Sequence, residues 1–578
     1  MPPPGRPSAV AEPHDKPGLF EPVLSRGQQR QLWLLIGFWL VGLATFWIWW
    51  LRPGHWVSVH GALLNGLVMA YLTACPLITF GVVLRMRRLR RDLQPPQDLR
   101  VAMVVTKAAS EPWALVQATL EAMLQQQPSH DTWLADEAPD AATQRWCQEQ
   151  GVQISCRREN PDYHNPDWPR RRACKEGNLA YFYDHFGYAN YDVVVQLDAD
   201  HIPQPGYLEA MLRPFSDAAI GYVAAPSIVN RNASSSWSAR ARTYSEALLH
   251  GPVQLGLNGG WAPLCFGSHY AVRTQALNQI GGLGPELAED HSTTLMLQAA
   301  GWRGAFAENA VCLGLGPHSF QDLMVQDYQW ARSLFTLLLR HSPRWWGELP
   351  LKLRLQAVAV QLFYPSRCAV GLLSWSLPLL AIGMNQPWVQ VDLFTFVIAS
   401  GCLAVLLLTP RLWLRQQGLF SPPDSPVLSW EALLLDLCRL PWITAGLLAA
   451  LRESVEARSR PFQVTNKRLA PRPLPLRFVL PYGALSLVFS GGIALLAESR
   501  SAAAQGYVLL SLIAAALMAL AALVVTGLAQ RSGTAALQPF LRHYGLGLSA
   551  LALVVVNGIA HHDLLLRPVH LPLLPGLH

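Results

Sequence analysis

Charged residues are scarce in this sequence, and their scarcity excludes an ordinary soluble protein. Only 14% of the 578 residues are Asp, Glu, Lys or Arg, whereas soluble domains contain about 25%. Hydrophobic residues make up 51% of the chain, and many of them gather into long apolar runs. A chain of this length also exceeds the size of one ordinary domain. We therefore predict several folding units, some of them within a membrane.

Three further patterns are missing from the sequence. The nine cysteines are scattered and include no Cys-x-x-Cys pair, so neither a zinc site nor a disulfide framework is predicted. Residues 1–30 are polar and rich in proline without an apolar core, which excludes a cleavable signal peptide and predicts a disordered cytoplasmic tail. The net charge of +7 lies largely in clusters beside apolar runs, so nucleic acid is not an expected partner.

Two apolar runs near the N-terminus are long enough to cross a bilayer. Leu32–Leu51 carries no charge, and Ala62–Leu84 is a second run of similar length. About 20 helical residues span the hydrocarbon core of roughly 30 Å. Arginines then crowd the segment Arg85–Arg91, and the positive-inside rule places them, with the N-terminus, in the cytoplasm. Residues 31–84 are therefore predicted to form two transmembrane helices, with the lipid bilayer as a partner.

Membrane character returns towards the C-terminus. Further spans, for a total of about seven, are predicted at residues 358–384 (broken around Pro365–Arg367), 391–408, 478–497, 507–529 and 545–560. Residues 430–460 mix leucines with charges, which is typical of an amphipathic helix in the membrane interface. The predicted units are an interface helix and spans at 346–427, an interface helix and loop at 428–475, and spans at 476–578.

Residues 95–345 have a different pattern from the membrane segments. Short apolar runs suited to buried parallel strands, Arg100–Thr106, Tyr191–Leu197 and Ile220–Ala225, alternate with helical stretches. This alternation predicts an α/β domain with a Rossmann-like, mainly parallel sheet. The preceding arginines place this domain in the cytoplasm, inserted in the bundle of transmembrane helices.

Carboxylates follow the predicted strands of this domain. Asp198 and Asp200 come directly after Tyr191–Leu197, at the end of the strand where open α/β sheets bind their ligands. Oxygen ligands of this kind suit Mg²⁺ or Mn²⁺ with substrate phosphates. An Asp-rich turn without a function is the alternative, because a single Asp-x-Asp motif is a weak signal. Asp136 ends an earlier predicted strand and is expected to face the same crevice, as a contact of a nucleotide.

Two helix starts offer further candidate residues. Lys175 opens a predicted helix, where its charge and the N–H groups of the first turn can hold diphosphate oxygens. Glu289 and Asp290 precede another helix. Asp290 is either a helix cap, since aspartate is favoured in that position, or a general base with access to an acceptor. The residues alone leave both interpretations open.

Taken in order, these motifs closely resemble those of the cellulose synthase-like, processive family 2 glycosyltransferases, and the resemblance covers nearly the whole chain. The family has Asp-x-Asp, Thr-Glu-Asp and Gln-x-x-Arg-Trp motifs and a Phe-x-Val-Thr-x-Lys gating loop. The matching segments here are Ser110-Glu111-Pro112, Asp136, Lys175-Glu-Gly-Asn178, Asp198-Ala-Asp200-His201, Phe266-Gly-Ser268, Ala288-Glu289-Asp290, Gln326-Asp-Tyr-Gln329-Trp330 and Phe462-Gln-Val-Thr465-Asn-Lys467.

The resemblance implies an inverting hexosyltransferase that polymerises a β-linked glucan from a UDP-sugar, with UDP-glucose as the expected donor, and translocates it. It implies that Asp200 binds Mg²⁺ or Mn²⁺, that Asp290 is the base with Glu289 beside it, and that Trp330 stacks on the terminal sugar of the polysaccharide acceptor. Accessory export subunits or a second copy of the chain are further possible partners. The residues assigned to substrate binding are Glu111, Asp136, Lys175, Asp198, His201, Gln326, Gln329, Trp330, Arg332, Phe462, Thr465 and Lys467.

Three departures from the family pattern affect these expectations. Ala288 replaces a threonine, Gln329 replaces the arginine of Gln-x-x-Arg-Trp, and no cyclic dinucleotide-binding domain follows the gating loop. Arg332 lies one helical turn after Gln329, so we expect it to supply the missing charge to the diphosphate. The alternatives are a synthase of a 1,3-glucan, hyaluronan-like or chitin-like polymer, a non-processive transferase that uses a lipid-linked acceptor, and a catalytically dead pore or assembly partner.

The segment Phe462–Lys467 generates a prediction of its own, because neighbouring prolines favour a loop there. If the loop closes over the donor, Phe462→Ala and Thr465→Ala should depress polymer synthesis and leave membrane insertion intact. If it is only a basic connector held by anionic lipid, both variants should be normal, and only charge removal at Lys467 and Arg468 should matter. Synthesis per amount of inserted protein measures the difference.

Overall fold

The computed structural model describes residues 18–391, 393–456, 473–496, 502–531 and 537–565. The predicted gating loop, Phe462–Lys467, lies outside these ranges, so the roles assigned to Phe462, Thr465 and Lys467 remain predictions.

The strands are β1 (Phe20–Pro22), β2 (Arg87–Leu89), β3 (Val101–Lys107), β4 (Asp131–Asp136), β5 (Gln153–Ser155), β6 (Val193–Asp198), β7 (Ile202–Pro203), β8 (Ile220–Ala224), β9 (Ser227–Ile228), β10 (His269–Arg273), β11 (Arg303–Phe306) and β12 (Cys312–Leu313).

The helices alternate with these strands in the middle of the chain and dominate both ends. They are α1 (Arg26–Trp50), α2 (Val59–Val83), α3 (Trp113–Leu124), α4 (Ala141–Gln150), α5 (Lys175–Phe182), α6 (Tyr188–Asn190), α7 (Tyr207–Leu212), α8 (Trp237–Leu248), α9 (Gln254–Leu257), α10 (Thr274–Gln279), α11 (Glu289–Ala299), α12 (Phe320–Thr336), α13 (Leu351–Gln361), α14 (Phe363–Gly383), α15 (Leu393–Gln416), α16 (Trp430–Cys438), α17 (Leu440–Glu456), α18 (Leu480–Leu496), α19 (Ala502–Arg531), α20 (Leu537–Ala560) and α21 (His562–Leu565).

The predicted α/β domain is confirmed, and its seven-stranded sheet has the order β11-β8-β10-β6-β3-β4-β5. Within this sheet, β10 runs antiparallel to both of its neighbours and the other pairs are parallel. The sheet is therefore mixed but mainly parallel. All residues of β3 are buried, as expected for an apolar strand that is covered on both faces.

The register of the parallel strands brings candidate site residues to one edge of the sheet. Lys107 of β3 lies opposite Asp136 of β4, and Thr106 lies opposite Asp198 of β6. A smaller sheet of order β7-β12-β9 lies immediately beyond β6. The carboxyl ends of β3, β4 and β6 thus lie side by side, as the sequence predicted for Asp136 and Asp198.

The N-terminal segment is more ordered than the predicted tail of residues 1–30. β1 pairs antiparallel with β2, which follows the second predicted span. Ser25 caps α1 through a capping box with Gln28, so α1 begins at Arg26. The prediction of disorder is therefore wrong for residues 18–30, because strand pairing and a helix cap satisfy the backbone there.

Six helices within the described ranges are long and apolar enough to cross a membrane, and a bent pair of helices, α16 and α17, would make seven. α18 is a shorter apolar helix. The break predicted around Pro365–Arg367 lies instead at Leu362, between α13 and α14. Pro365 falls in the first turn of α14, where a missing N–H costs no helical hydrogen bond. The six helices are α1, α2, α14, α15, α19 and α20.

Within the segment predicted as one interface helix, residues 430–460, the described residues up to Glu456 form two helices that meet at 42°. α16 packs against α8, and α17 packs against α12 of the α/β domain. A buried carboxylate joins them: Asp327 of α12 accepts hydrogen bonds from Arg242 of α8 and from Arg439 between α16 and α17, each at 3.0 Å. Burial alone would raise the pKa of Asp327, but the two guanidinium groups hold it below its ordinary value.

Two more ion pairs cross the same contact between the α/β domain and α16–α17. Arg240 Nε lies 2.8 Å from Glu431 Oε1, and Arg332 Nη1 lies 3.1 Å from Glu453 Oε1. The Arg332 and Glu453 side chains are both buried. The α/β domain and the helices α16 and α17 are therefore held together by ion pairs, and those of Asp327 and of Arg332 with Glu453 are removed from water.

Loss of Asp327 should destabilise this contact more than loss of an exposed carboxylate. Asp327→Ala leaves two buried guanidinium groups without their shared partner and should lower the free energy of unfolding by about 3 kcal/mol or more. The measurement is the Tm of the detergent-solubilised protein. Asp436→Ala is the matched control, since this half-exposed side chain also pairs with Arg439 and such pairs contribute about 1 kcal/mol or less. Equal losses of Tm would contradict the account.

Candidate functional site

Three potential metal ligands follow β6. One ligand atom from each of Asp198, Asp200 and His201 lies within 4.8 Å of the other two. Asp200 and His201 are buried, with 3.4 Å between Asp200 Oδ1 and His201 Nδ1. His201 Nε2 is buried and makes no hydrogen bond within the described ranges. These residues fit the predicted Mg²⁺ or Mn²⁺, and His201 joins Asp200 as a candidate ligand.

The loop after β12 fixes this cluster from the other side. The Leu315 N–H donates to Asp200 Oδ2 at 3.0 Å. Gly314 packs against the His201 imidazole so closely that an added Cβ would collide with the ring. Glycine is therefore required by this close approach, and Asp200 and His201 are held in place before any metal binds.

Lys175 contacts both the metal cluster and the backbone of Gly267. It is the first residue of α5, its Nζ lies 2.8 Å from Asp198 Oδ1, and it donates a second hydrogen bond to the Gly267 carbonyl. Burial alone would lower the pKa of Lys175, but the charges of Asp198 and Glu289 raise it above its ordinary value. Lys175 is therefore a charged ammonium group that faces several carboxylates.

Glu289 and Asp290 are the first two residues of α11 and are both buried. The N-cap residue is Ala288 and not Asp290, although Asp290 Oδ1 accepts a hydrogen bond from the adjacent His291 N–H in the first turn. A Cβ added at Gly267 would lie 3.6 Å from Asp290 Oδ2, which places this oxygen beside the glycine that also accepts from Lys175.

Burial raises the pKa values of both Glu289 and Asp290. Neighbouring negative charges add to this effect, from Asp290 on Glu289 and from Asp198 on Asp290, whereas Lys175 opposes it. Tyr270 donates a hydrogen bond of 2.8 Å to Glu289 Oε2. The pair therefore combines a carboxyl held by a tyrosine with an aspartate whose proton affinity is above normal.

Two more predicted residues lie at the same edge of the sheet. Asp136 is fully buried at the end of β4, and its Oδ2 lies 3.0 Å from Lys107 Nζ. Glu111 lies in the turn after β3 and accepts a hydrogen bond from Ala108 N–H at 2.8 Å. Both residues thus lie at or just beyond the carboxyl ends of β3 and β4, on the side of β6 away from β10.

Trp330 of α12 is 40% exposed. The Arg242 guanidinium carbon lies 4.2 Å from the centroid of its ring, so one face of the indole is held by a cation. Arg242 is itself fixed by Asp327 and Glu246. The exposed side of the ring is a rigid apolar surface of the kind that a sugar can stack on.

Three further residues of α12, Gln326, Gln329 and Arg332, were assigned to substrate binding from the sequence. Gln326 is half-buried and Gln329 is buried on the same helix. Arg332 is ion-paired with Glu453 of α17, so the expectation that it supplies charge to a diphosphate is corrected. The spacing of the two residues along the helix predicted that Arg332 lies near Gln329. It could not predict that α17 packs against α12 and pairs with Arg332.

Some functional neighbours were missed by the sequence analysis. Tyr270, Lys107 and Gly314 carry no motif of their own, and each becomes relevant only through the sheet pairing that places it beside Glu289, Asp136 or His201. Tyr270 lies in β10, which was not among the strands predicted from the sequence.

Part of the chain is similar in sequence to known glycosyltransferases. Residues 193–414 match a family model described as glycosyl transferase family group 2. The cellulose synthase 1 catalytic subunit (UDP-forming) of Komagataeibacter xylinus is 30% identical over 197 residues, which are 32% of this chain and 25% of that protein. The cellulose synthase catalytic subunit (UDP-forming) of Xanthomonas axonopodis pv. citri is 29% identical over 174 residues, or 28% and 23%. The match therefore spans about a quarter of these relatives' length.

Among solved structures, a mannosyltransferase from Pyrobaculum calidifontis in complex with GDP-Man and Mn²⁺ aligns with a TM-score of 0.46 and 17% identity. The alignment covers 68% of this chain and 98% of that one.

The metal cluster generates a prediction about binding. Loss of a residue that merely supports a metal site costs about 10- to 100-fold in affinity, so Asp200→Ala and His201→Ala should each weaken Mn²⁺ binding at least as much. Electron paramagnetic resonance of free Mn²⁺, titrated with protein and UDP, measures this. His185→Ala is the control, because this exposed imidazole contacts the carbonyl of Tyr181 on its own helix. Unchanged Mn²⁺ binding by both variants would remove the metal from this site.

Proposed function

We propose that this chain, which belongs to the cellulose synthase-like family 2 glycosyltransferases, polymerises a β-linked glucan from UDP-glucose and passes the product through its own membrane helices. The observation that carries the proposal is the juxtaposition of Asp290 with the Asp198–His201 cluster. Lys175 and Gly267 connect the two, because Lys175 contacts Asp198 and Gly267 lies beside Asp290.

In this proposal the nucleotide-sugar donor binds at the carboxyl ends of β3, β4 and β6. Asp198, Asp200 and His201 would hold the divalent cation, which when bound neutralises charge on the departing diphosphate. Lys175 adds a fixed positive charge at the start of α5, beside its backbone N–H groups. Asp136 lies one strand beyond Lys107 and is proposed to contact the nucleoside.

The acceptor is proposed to bind between residues of α11 and α12. Asp290 is the proposed general base that takes the proton of the acceptor hydroxyl while the acceptor oxygen attacks the anomeric carbon. Its raised pKa increases its affinity for that proton relative to an ordinary aspartate. Glu289, the neighbouring residue, is held by a hydrogen bond from Tyr270. Trp330 would then support the terminal sugar through its exposed face.

The membrane arrangement supports a product that leaves across the bilayer. Apolar helices precede and follow the catalytic domain, and the arginines of the segment Arg85–Arg91 favour a cytoplasmic position for it. α12, which carries Trp330, is ion-paired with α17 and packs close to α14, one of the candidate spans. The acceptor site is therefore close to the bundle, and accessory export subunits or a second copy would act beyond it.

Replacement of Asp290 tests the proposed chemistry. Asp290→Asn keeps the shape of the side chain but removes the base, so UDP release from UDP-glucose should fall by about 100-fold or more, while binding of UDP should persist. The wild-type kcat should decline on acidification at a pH above the ordinary aspartate pKa of about 4, because the raised pKa protonates the base earlier. A coupled assay of UDP release with the purified protein measures both.

Asp217→Asn is the matched control for this experiment. Asp217 pairs with Arg303 at the opposite edge of the sheet and should leave the rate unchanged. An Asp290→Asn enzyme with normal turnover would contradict the assignment of the base. No UDP release by the wild-type protein, with any UDP-sugar, would favour a catalytically dead partner protein.

A further inference from the structure

The donor site lacks one positive charge that its family places on α12. Gln329 occupies the arginine position of Gln-x-x-Arg-Trp. Arg332, the nearest arginine along the helix, is buried against Glu453, and Arg242 is held by Asp327 and Glu246. The ion pairs of these two guanidinium groups therefore direct neither of them towards the metal cluster.

Arg231, between β9 and α8, is an arginine that does reach the metal cluster. Its Nη1 donates a hydrogen bond of 3.0 Å to the backbone carbonyl of Asp200. Arg231 is exposed, unlike the arginines of α8 and α12. In the part of the chain that the structure describes, no carboxylate forms an ion pair with it. One nitrogen is therefore fixed at the metal-binding motif, and the rest of the guanidinium group is open to a ligand.

The small sheet determines this position. β12 pairs in parallel with β9, and the following Gly314 N–H donates to the Ile228 carbonyl at 2.8 Å. The Gly314 carbonyl in turn accepts from Arg231 N–H at 3.1 Å. Because the next residue, Leu315, holds the Asp200 carboxylate, the backbone of Arg231 and the side chain of Asp200 are fixed by two adjacent residues.

We propose that Arg231 binds the diphosphate of the nucleotide-sugar and supplies the charge that Gln329 lacks. This inference rests on the proposed function. As the acceptor oxygen bonds to the anomeric carbon, the bond from that carbon to the β-phosphate oxygen breaks, the acceptor proton passes to Asp290, and UDP leaves with the electron pair. The negative charge that develops on the β-phosphate lies beside the Asp198–His201 cluster, within reach of the Arg231 side chain.

An arginine suits this task better than a lysine would. The guanidinium group is planar and offers five N–H donors in a fixed fork that matches phosphate oxygens. Use of one donor on the Asp200 carbonyl leaves the others for the ligand and sets the orientation of the plane. Arg231 is therefore a specificity residue for a nucleoside diphosphate over the bare nucleoside.

The test compares UDP with uridine as ligands of Arg231→Gln. The full-length protein in detergent with Mn²⁺ is titrated with each ligand by isothermal titration calorimetry. We expect the Kd for UDP to rise about tenfold or more, the scale of a lost charge-assisted hydrogen bond, while the Kd for uridine is unchanged. Arg231→Lys should recover part of the UDP affinity, because it restores the charge without the fork.

Arg303→Gln is the matched control, since it removes an exposed arginine at the opposite edge of the sheet and should leave both affinities unchanged. Unchanged UDP affinity in Arg231→Gln would overturn the inference. Equal weakening of UDP and uridine would also overturn it, because it would show that Arg231 only supports the Asp200 loop. Absence of UDP binding by the wild-type protein would instead refute the proposed function.

Discussion

The concentration of carboxylates at one buried edge of the sheet is the constraint on which this structure depends. Asp136, Asp198, Asp200, Glu289 and Asp290 all lie at or near the carboxyl ends of strands or the start of α11, and most are removed from water. Such a cluster is stable only if cations balance it or if some members take up protons. Lys107 and Lys175 supply part of the charge, and burial, together with the negative charge that remains unbalanced, raises the pKa values of Glu289 and Asp290.

This imbalance gives the site its chemistry. A divalent cation and the phosphate-binding groups fit where the carboxylates of Asp198 and Asp200 converge, and an aspartate of increased basicity lies on the other side of Gly267. The proposed donor and acceptor groups are thus separated by one short backbone segment. The same segment accepts from Lys175, so a change on the donor side can alter the electrostatic environment of the base.

The second organising feature is the charged contact between the catalytic domain and the membrane-proximal helices. Asp327, bound by Arg242 and Arg439, ties α12 to α8 and to the junction of α16 and α17. Because Arg242 also supports the Trp330 ring, the proposed acceptor platform and the attachment to the bundle share one side chain. The position at which a growing chain would rest is therefore fixed relative to the helices through which it would leave.

Local patterns in the sequence were enough to predict the mainly parallel sheet, most membrane helices and the strand-end positions of Asp136 and Asp198, because each depends on periodicity or on adjacency along the chain. They were not enough for Arg332, whose partner Glu453 lies more than a hundred residues away. The role of His201 as a candidate ligand required the packing of Gly314, and the exclusion of Asp290 as a cap required the observed start of α11. Contacts between distant segments decide these points, and no local pattern encodes them.

Polymer formation by repeated sugar transfer is the step on which the proposed function depends. The direct measurement uses inverted membrane vesicles that contain this chain, radiolabelled UDP-glucose and Mg²⁺, followed by solvent extraction and digestion with linkage-specific β-glucanases. The account predicts a label that resists extraction of lipids, consists of many glucose units and is released by a β-glucanase. A label that is extracted with the lipids as single glucose units would contradict it.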